Sequence, residues 1–342
     1  MNNEEEISLN HGQQTGKKAI GQDKNAKSDN INEPELKMEP NVVDLGAMMG
    51  NSTSNEEFVR RLLELPEEKL IPWEECVLPS KGLYYNWPDG VVMVKAMGQA
   101  AEKVLATQRL AQSGQSIDYL FRECCKFPDG FDPADLLLGD RVFLLYYLRG
   151  ITHGNMYEFM IGCPQCEASS THKYDLNDLA STIKWANASI GHEPFKVILP
   201  YMSKATGREV YVGLRFLRAL DANDILAQRK FRKQHFSRPA SSVRAGTLPS
   251  QRAKQRQEAT LDDSLTENLE KMIVSVMGVT DQTTIKTFVQ KLHSTDTAAI
   301  REWMRENSPG IDTTVVITCP SCDNEFRAEL PISESFFRPV KS

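Results

Sequence analysis

The sequence predicts an α+β fold: a helical body with β-hairpins, and a four-cysteine ribbon split into halves that flank a large inserted lobe. Three observations carry this prediction. Two Cys-Pro-x-Cys motifs, Cys163-Pro164-Gln165-Cys166 and Cys319-Pro320-Ser321-Cys322, each stand between strand-like runs. Residues 133–149 are apolar almost all round at helical spacing, the mark of a buried helix. Short β-branched or aromatic runs bounded by Pro and Gly recur between the helical stretches.

The chain opens on residues 1–55, where large apolar side chains are scarce in the first forty. Such a segment buries too little surface to offset its ordering entropy, so a disordered tail is expected. An amphipathic helix follows over Glu56–Leu65, with Phe58, Leu62 and Leu65 on one face and Pro66 and Pro72 beyond it. It reads either as an ordinary packing helix or as a docking helix on a tether. The run 77–85, the turn Pro88-Asp89-Gly90 and the run 91–95 read as a β-hairpin, since proline presets φ and glycine supplies a positive one.

Three helices are predicted over Gln99–Arg109, Ile117–Phe127 and Pro133–Arg149, the last capped by Asp132 with proline at its first position. Asp132, Asp135 and Asp140 near that start read as capping and dipole-complementing carboxylates. Residues 56–162 would form the N-terminal α+β body. Strands at Met156–Ile161 and Thr171–Leu176 flank the first motif, and strands at Thr313–Thr318 and Glu325–Leu330 flank the second. Between them, 177–310 would be an inserted α/β lobe. It holds a hairpin (Phe195–Leu199 and Glu209–Leu214, turning near Thr206-Gly207) and helices at Ala222–Phe236, Asp262–Met277, Gln282–Leu292 and Asp296–Glu306. Residues 332–342 would be a C-terminal tail.

Seven cysteines, two close pairs and three singles make a poor disulfide framework and a good metal pattern. Two such turns on hairpin tips are the parts of a zinc ribbon. Cys163, Cys166, Cys319 and Cys322 would hold one structural Zn2+, four thiolates completing a tetrahedral shell with Zn–S near ~2.3 Å. The halves, 163–176 and 311–331, are unusually far apart: 152 residues separate Cys166 from Cys319, against ~15–20 in a compact finger. Closing so long a loop remains feasible, because closure entropy grows only logarithmically with length. A redox role needs a helix N-terminus or a cation to activate the thiol, and both pairs sit between strands. His172 follows the first pair closely but is surplus to a complete shell. Cys76, Cys124 and Cys125 lack metal spacing and read as small buried hydrophobes.

A closed four-thiolate shell leaves no open position for chemistry. Gly-x-Ser-x-Gly, Walker, Gly-x-Gly-x-x-Gly and His-Glu-x-x-His patterns are absent, and His153 has no nucleophile beside it, so no enzyme and no small-molecule substrate are expected. No run of about eighteen apolar residues suggests a membrane helix, and the N-terminus lacks the layout of a signal peptide. Net charge is a mild −6. One stretch departs from it: 225–257 has no acid while Arg229, Lys230, Arg232, Lys233, Arg238, Arg244, Arg252, Lys254 and Arg256 all occur. Its second part, 237–258, reads as a flexible loop. As a nucleic-acid contact, 229–256 would bind phosphates without regard to sequence, but only Phe231 and Phe236 are available for stacking.

Three stretches resemble the baseplate protein family of T4-like contractile-tailed phages, which includes the baseplate hub subunit. They are Leu78-Pro79-Ser80-Lys81-Gly82-Leu83-Tyr84-Tyr85; Ser113 through Phe131-Asp132-Pro133-Ala134-Asp135 to the first cysteine pair; and the second pair followed by Leu330-Pro331-Ile332-Ser333-Glu334-Ser335-Phe336-Phe337-Arg338-Pro339. Together they cover roughly 74–185 and 311–340. The resemblance implies a virion structural or assembly protein of the tail baseplate, made in the host cytoplasm. Other hub or wedge proteins would be its partners, and no catalytic residues are carried over. The competing reading is a zinc-ribbon nucleic-acid-binding factor that uses 229–256.

Overall fold

The computed structural model describes residues 40, 42–46, 54–85, 87, 89–107, 115–225, 264–332 and 334–337. Most of the segment expected to be a disordered tail, and the basic stretch, lie outside these residues. The fold is α+β, with helices around several small antiparallel sheets.

Helix α1 (Asn55–Glu64) starts where Ser54 accepts a hydrogen bond from the Glu57 N–H at 3.2 Å. It buries none of its residues, and Leu63 is 80% exposed. A single turn, α2 (Glu67–Leu70), leads to β1 (Trp73–Val77), which pairs antiparallel with β2 (Val91–Lys95). The expected hairpin is therefore real, but its first strand lies earlier than the sequence suggested. Residues 78–85 are turns instead. Lys81, Gly82 and Gly90 have positive φ, and a Cβ on Gly82 would stand 1.9 Å from the Trp87 carbonyl oxygen. Only glycine permits that approach.

Helices α3 (Gln99–Ala106) and α4 (Ser116–Cys124) follow, and α4 gives way to a two-residue strand, β3 (Cys125–Lys126), that extends the first sheet. The long helix expected from Pro133 breaks in two. Asp132 caps a 3-10 turn at Pro133–Asp135, and α5 (Leu138–His153) starts afresh. The break is where Leu138 N–H donates to the Leu217 carbonyl and Ala219 N–H to that of Leu136, bonds that a continuous helix would forbid. Helix α5 buries Phe143 through Ile151, forming the axis of the first core as its all-round apolarity predicts. Arg149 lies within it, its guanidinium donating to the carbonyls of Gly154 at 2.7 Å and Met156 at 3.3 Å. These bonds fix the turn into β4 (Met156–Gly162), which pairs with β5 (Ser169–Asp175).

A second core surrounds the sheet β6 (Phe195–Ile198), β7 (Tyr211–Leu214), β8 (Ile273–Val276), with β7 central. Strands β6 and β7 pair as expected, but the link between them is a helix, α6 (Pro200–Thr206), closed by Gly207 in the left-handed region. Buried Asp296 caps that helix across space, accepting from the N–H groups of Tyr201 at 2.7 Å and Met202 at 3.2 Å. The helix expected over 262–277 ends early. It runs as α7 (Ser264–Met272), and Ile273-Val274-Ser275-Val276, rich in β-branched residues, turns into β8. A helix over 219–225 covers 222–225 of the segment expected over 222–236; the remainder lies outside the described residues. Helices α8 (Gln282–Val289) and α9 (Ser294–Asn307) complete the layer.

The chain then returns. Lys184 and Gly310 exchange backbone hydrogen bonds of 2.8 and 3.1 Å, so the segment leaving the first hairpin runs beside the one entering the second. Strands β9 (Thr314–Thr318) and β10 (Glu325–Glu329) form that second hairpin. The C-terminal segment, expected to be a tail, includes a helical turn, α10 (Glu334–Phe337), and contributes Phe336 and Phe337 to the first core.

Candidate metal centre

Alternation within the two hairpins explains how each is held. Tyr157 and Phe159 of β4, and Val315 and Ile317 of β9, face the first core. Met156, Glu158 and Met160, and Thr314, Val316 and Thr318, face outward. Each sheet ladder ends at its cysteine loop, on the pairs Gly162–Ser169 and Thr318–Glu325.

The loops 163–168 and 319–324 have the same construction. In the first, Cys163 N–H donates to the Ala168 carbonyl at 2.9 Å, and Glu167 N–H to the Cys163 carbonyl at 3.0 Å. In the second, Cys319 N–H donates to Asn324 and Asp323 N–H to Cys319, both at 2.9 Å. Glu167 and Asp323 are both left-handed, with φ 58° and 53°. Even the hairpin bases agree: Leu176 N–H donates to Asn155 and Leu330 N–H to Thr313, each at 2.9 Å. The likeness of the two copies in sequence is thus a likeness in geometry.

The loops bring Cys163, Cys166, Cys319 and Cys322 together, their four sulfurs all within 4.8 Å of one another. Across the hairpins, Cys163 Sγ lies 3.7 Å from Cys322 Sγ, and Cys166 Sγ lies 3.7 Å from Cys319 Sγ. A tetrahedron of sulfurs about an ion at ~2.3 Å has edges of about 3.8 Å. The donor set therefore fits one tetrahedral metal ion. Cys163 and Cys319 are buried, Cys322 is half-buried and Cys166 is exposed.

Electrostatics point the same way. The Cys166 N–H, followed by that of Gln165 at 3.4 Å, brings the Cys163 thiol down to about 6. The Ser321 N–H lowers Cys319. At Cys322 the Asn324 N–H also favours the thiolate, but burial and the three neighbouring sulfurs prevail and push it up to about 12. The cluster releases some protons readily and holds another strongly, because adjacent thiolates repel. A bound cation removes that repulsion.

The remaining sequence-selected residues lie elsewhere. His172 sits on β5 with Nε2 2.7 Å from Ser170 Oγ, outside the sulfur cluster. His153 ends α5 with Nε2 2.9 Å from the Phe337 carbonyl oxygen. Cys76, Cys124 and Cys125 are buried in the first core, and burial raises all three thiols. Asp132 caps its turn as expected, accepting from Ala134 N–H at 2.9 Å. Asp140 does something else. It is fully buried and accepts from Ser80 N–H at 3.0 Å and Tyr85 O–H at 2.7 Å, so it anchors the 78–90 loop. That role had no local signal, since its partners are 55 and 60 residues away.

What these elements define is an α+β body whose paired cysteine knuckles can hold a metal ion. The chain belongs to the T4 bacteriophage base plate protein family, whose model matches residues 78–338. No curated protein and no solved structure matches it. Membership gives the chain a structural role in the phage baseplate and implies a place in the virion tail among other baseplate proteins. A structural family of this kind is consistent with a protein that catalyses no reaction. Among the described residues, no helix is long and apolar enough to cross a membrane.

Proposed function

We propose that this chain is a hub component of the contractile-tail baseplate, acting in the finished structure or in its assembly. It binds neighbouring hub or wedge proteins after synthesis in the host cytoplasm. The observation that carries this reading is the extent of the family match, which spans most of the body, both cysteine knuckles and the region between them. Exposed Phe58, Val59 and Leu63 on α1 support a docking role for that helix, because exposed apolar side chains favour a protein contact.

In the same reading Cys163, Cys166, Cys319 and Cys322 ligate one structural Zn2+. Soft thiolates in a tetrahedral set suit zinc, which when bound would act as a cross-link and supply no reaction. The halves of the ribbon, 163–176 and 311–331, then clamp the base of a lobe at 177–310 to the body at 56–162.

Mass spectrometry of purified virions and of baseplate precursors tests the location. Peptides of this chain are expected in one or both, and absence from both overturns the reading. Metal analysis of the full-length protein tests the centre: one zinc per chain is expected, lost on Cys319→Ser. The rival reading, nucleic-acid binding through 229–256, rests on residues outside those described. It predicts micromolar DNA binding that falls steeply with salt, and no binding at low salt eliminates it.

A further inference from the structure

The cysteine centre has an asymmetry that a metal clip alone does not need. Three of its sulfurs belong to buried or half-buried residues, whereas Cys166 is exposed. The 3.7 Å contacts, Cys166 with Cys319 and Cys163 with Cys322, both run from one hairpin to the other. Each contact needs to shorten by about 1.7 Å to reach the ~2.05 Å of a disulfide.

We propose that Cys166–Cys319 and Cys163–Cys322 are disulfide-forming pairs, with Cys166 the residue that a peroxide oxidises first, so that two cross-hairpin disulfides replace the metal without parting the hairpins. This rests on the metal reading above for the starting state, and on the family for the setting. A tail protein is made in a reducing cytoplasm and used on a virion outside it, where disulfides persist.

The chemistry balances with hydrogen peroxide as oxidant. The Cys166 thiolate attacks one peroxide oxygen, an S–O bond forms as the O–O bond breaks, and hydroxide leaves. The Cys319 thiolate then attacks the Cys166 sulfur, the S–S bond forms, the S–O bond breaks, and a second hydroxide leaves. Two electrons pass from the thiolates to the peroxide, and a metal ion held by these ligands would be released as they are consumed. A second peroxide oxidises Cys163 and Cys322 in the same way.

The test uses the full-length protein, with its metal content measured first. Hydrogen peroxide is added, metal release is followed with a chromophoric chelator, and disulfides are mapped by non-reducing proteolysis and mass spectrometry. Peptides joining Cys166 to Cys319 and Cys163 to Cys322 are expected, with metal release slowed several-fold by Cys166→Ser. Should that variant fail to fold, timed alkylation of the wild type gives the same information, with Cys166 labelled before Cys319. Disulfides within each knuckle, Cys163–Cys166 and Cys319–Cys322, overturn the proposal, as does oxidation that stops at sulfinic acid. A protein isolated without metal that still forms the cross-hairpin pairs sinks the metal reading and keeps this one. A metal-loaded protein that forms the within-knuckle pairs does the reverse.

Discussion

Glu167 and Asp323, 156 residues apart in sequence, adopt the same left-handed backbone conformation at the same step of two matching loops. Each donates its N–H to the carbonyl of the first cysteine in its motif. A side chain at positive φ carries a cost of roughly 1–2 kcal/mol. Glycine at either position is therefore expected to hold or raise stability by up to about 1 kcal/mol, the relief being partly offset by a freer unfolded chain. Glu167→Val, with a branched Cβ in the same conformation, is expected to lose roughly 1–2 kcal/mol. Urea unfolding of the variants measures both, and a Val variant as stable as wild type would show that the loop conformation is not under this constraint.

Phe336 fills the space between Tyr146 and Tyr157, with ring centroids 5.0 and 5.1 Å away, and is fully buried. The Tyr146 and Tyr157 hydroxyls donate to the carbonyls of Leu330 at 2.8 Å and Pro331 at 2.7 Å, binding the last segment to the body. Phe336→Ala is expected to cost about 3–5 kcal/mol. Calorimetry should show the loss, and a variant within 1 kcal/mol of wild type, by the same scale, would remove this segment from the core.

Gly139, near the start of α5, faces Pro309, where the chain returns to the second hairpin. A Cβ built on it would lie 1.9 Å from the Pro309 carbonyl oxygen. Because that oxygen is backbone, the contact cannot be relieved by a rotamer change. Gly139→Ala should destabilise the protein by about 1–3 kcal/mol through forced backbone movement. It should also speed removal of the proposed zinc by a chelator, since Gly310 helps align the second knuckle with the first. Unchanged stability in denaturant would contradict the close approach.

Burial lifts the Asp140 carboxyl from an ordinary 3.8 to about 6, with the hydrogen bonds from Ser80 and Tyr85 pulling the other way. Its folded form thus binds a proton more tightly than its unfolded form. Between pH 4 and 6 the folded state holds more protons, so this residue's contribution to stability falls as pH rises, by up to about 3 kcal/mol across the window. Comparing wild type with Asp140→Asn in denaturant at several pH values isolates the effect. The difference should narrow or reverse with rising pH, and a constant difference would refute a titrating Asp140.

Much of the secondary structure was legible because its signals are local. The knuckle strands, α5 and its Asp132-capped approach announce themselves within a few residues through alternation, apolar periodicity and capping chemistry. Two of the misplaced pieces share one cause. Residues 78–85 look like a strand but turn, because Asp140 and the Gly82–Trp87 approach hold them in place. Leu136 and Leu137 continue a helical pattern but break it, because the Leu217 carbonyl accepts from Leu138 N–H and Ala219 N–H donates to the Leu136 carbonyl. In each, long-range partners overrode local propensity.

The same division governs the centre. The sequence by itself determined which four sulfurs belong together, since Cys-Pro-x-Cys repeated between paired strands is chemistry written at short range. Only the tertiary structure decided which sulfur faces which, that Cys166 alone of the four is exposed, and that 152 intervening residues return to the same point. The physical reason is that spacing fixes a motif's local turn, whereas the meeting of two turns depends on contacts made elsewhere: Lys184 with Gly310, Gly139 against Pro309, and Tyr157 on Pro331.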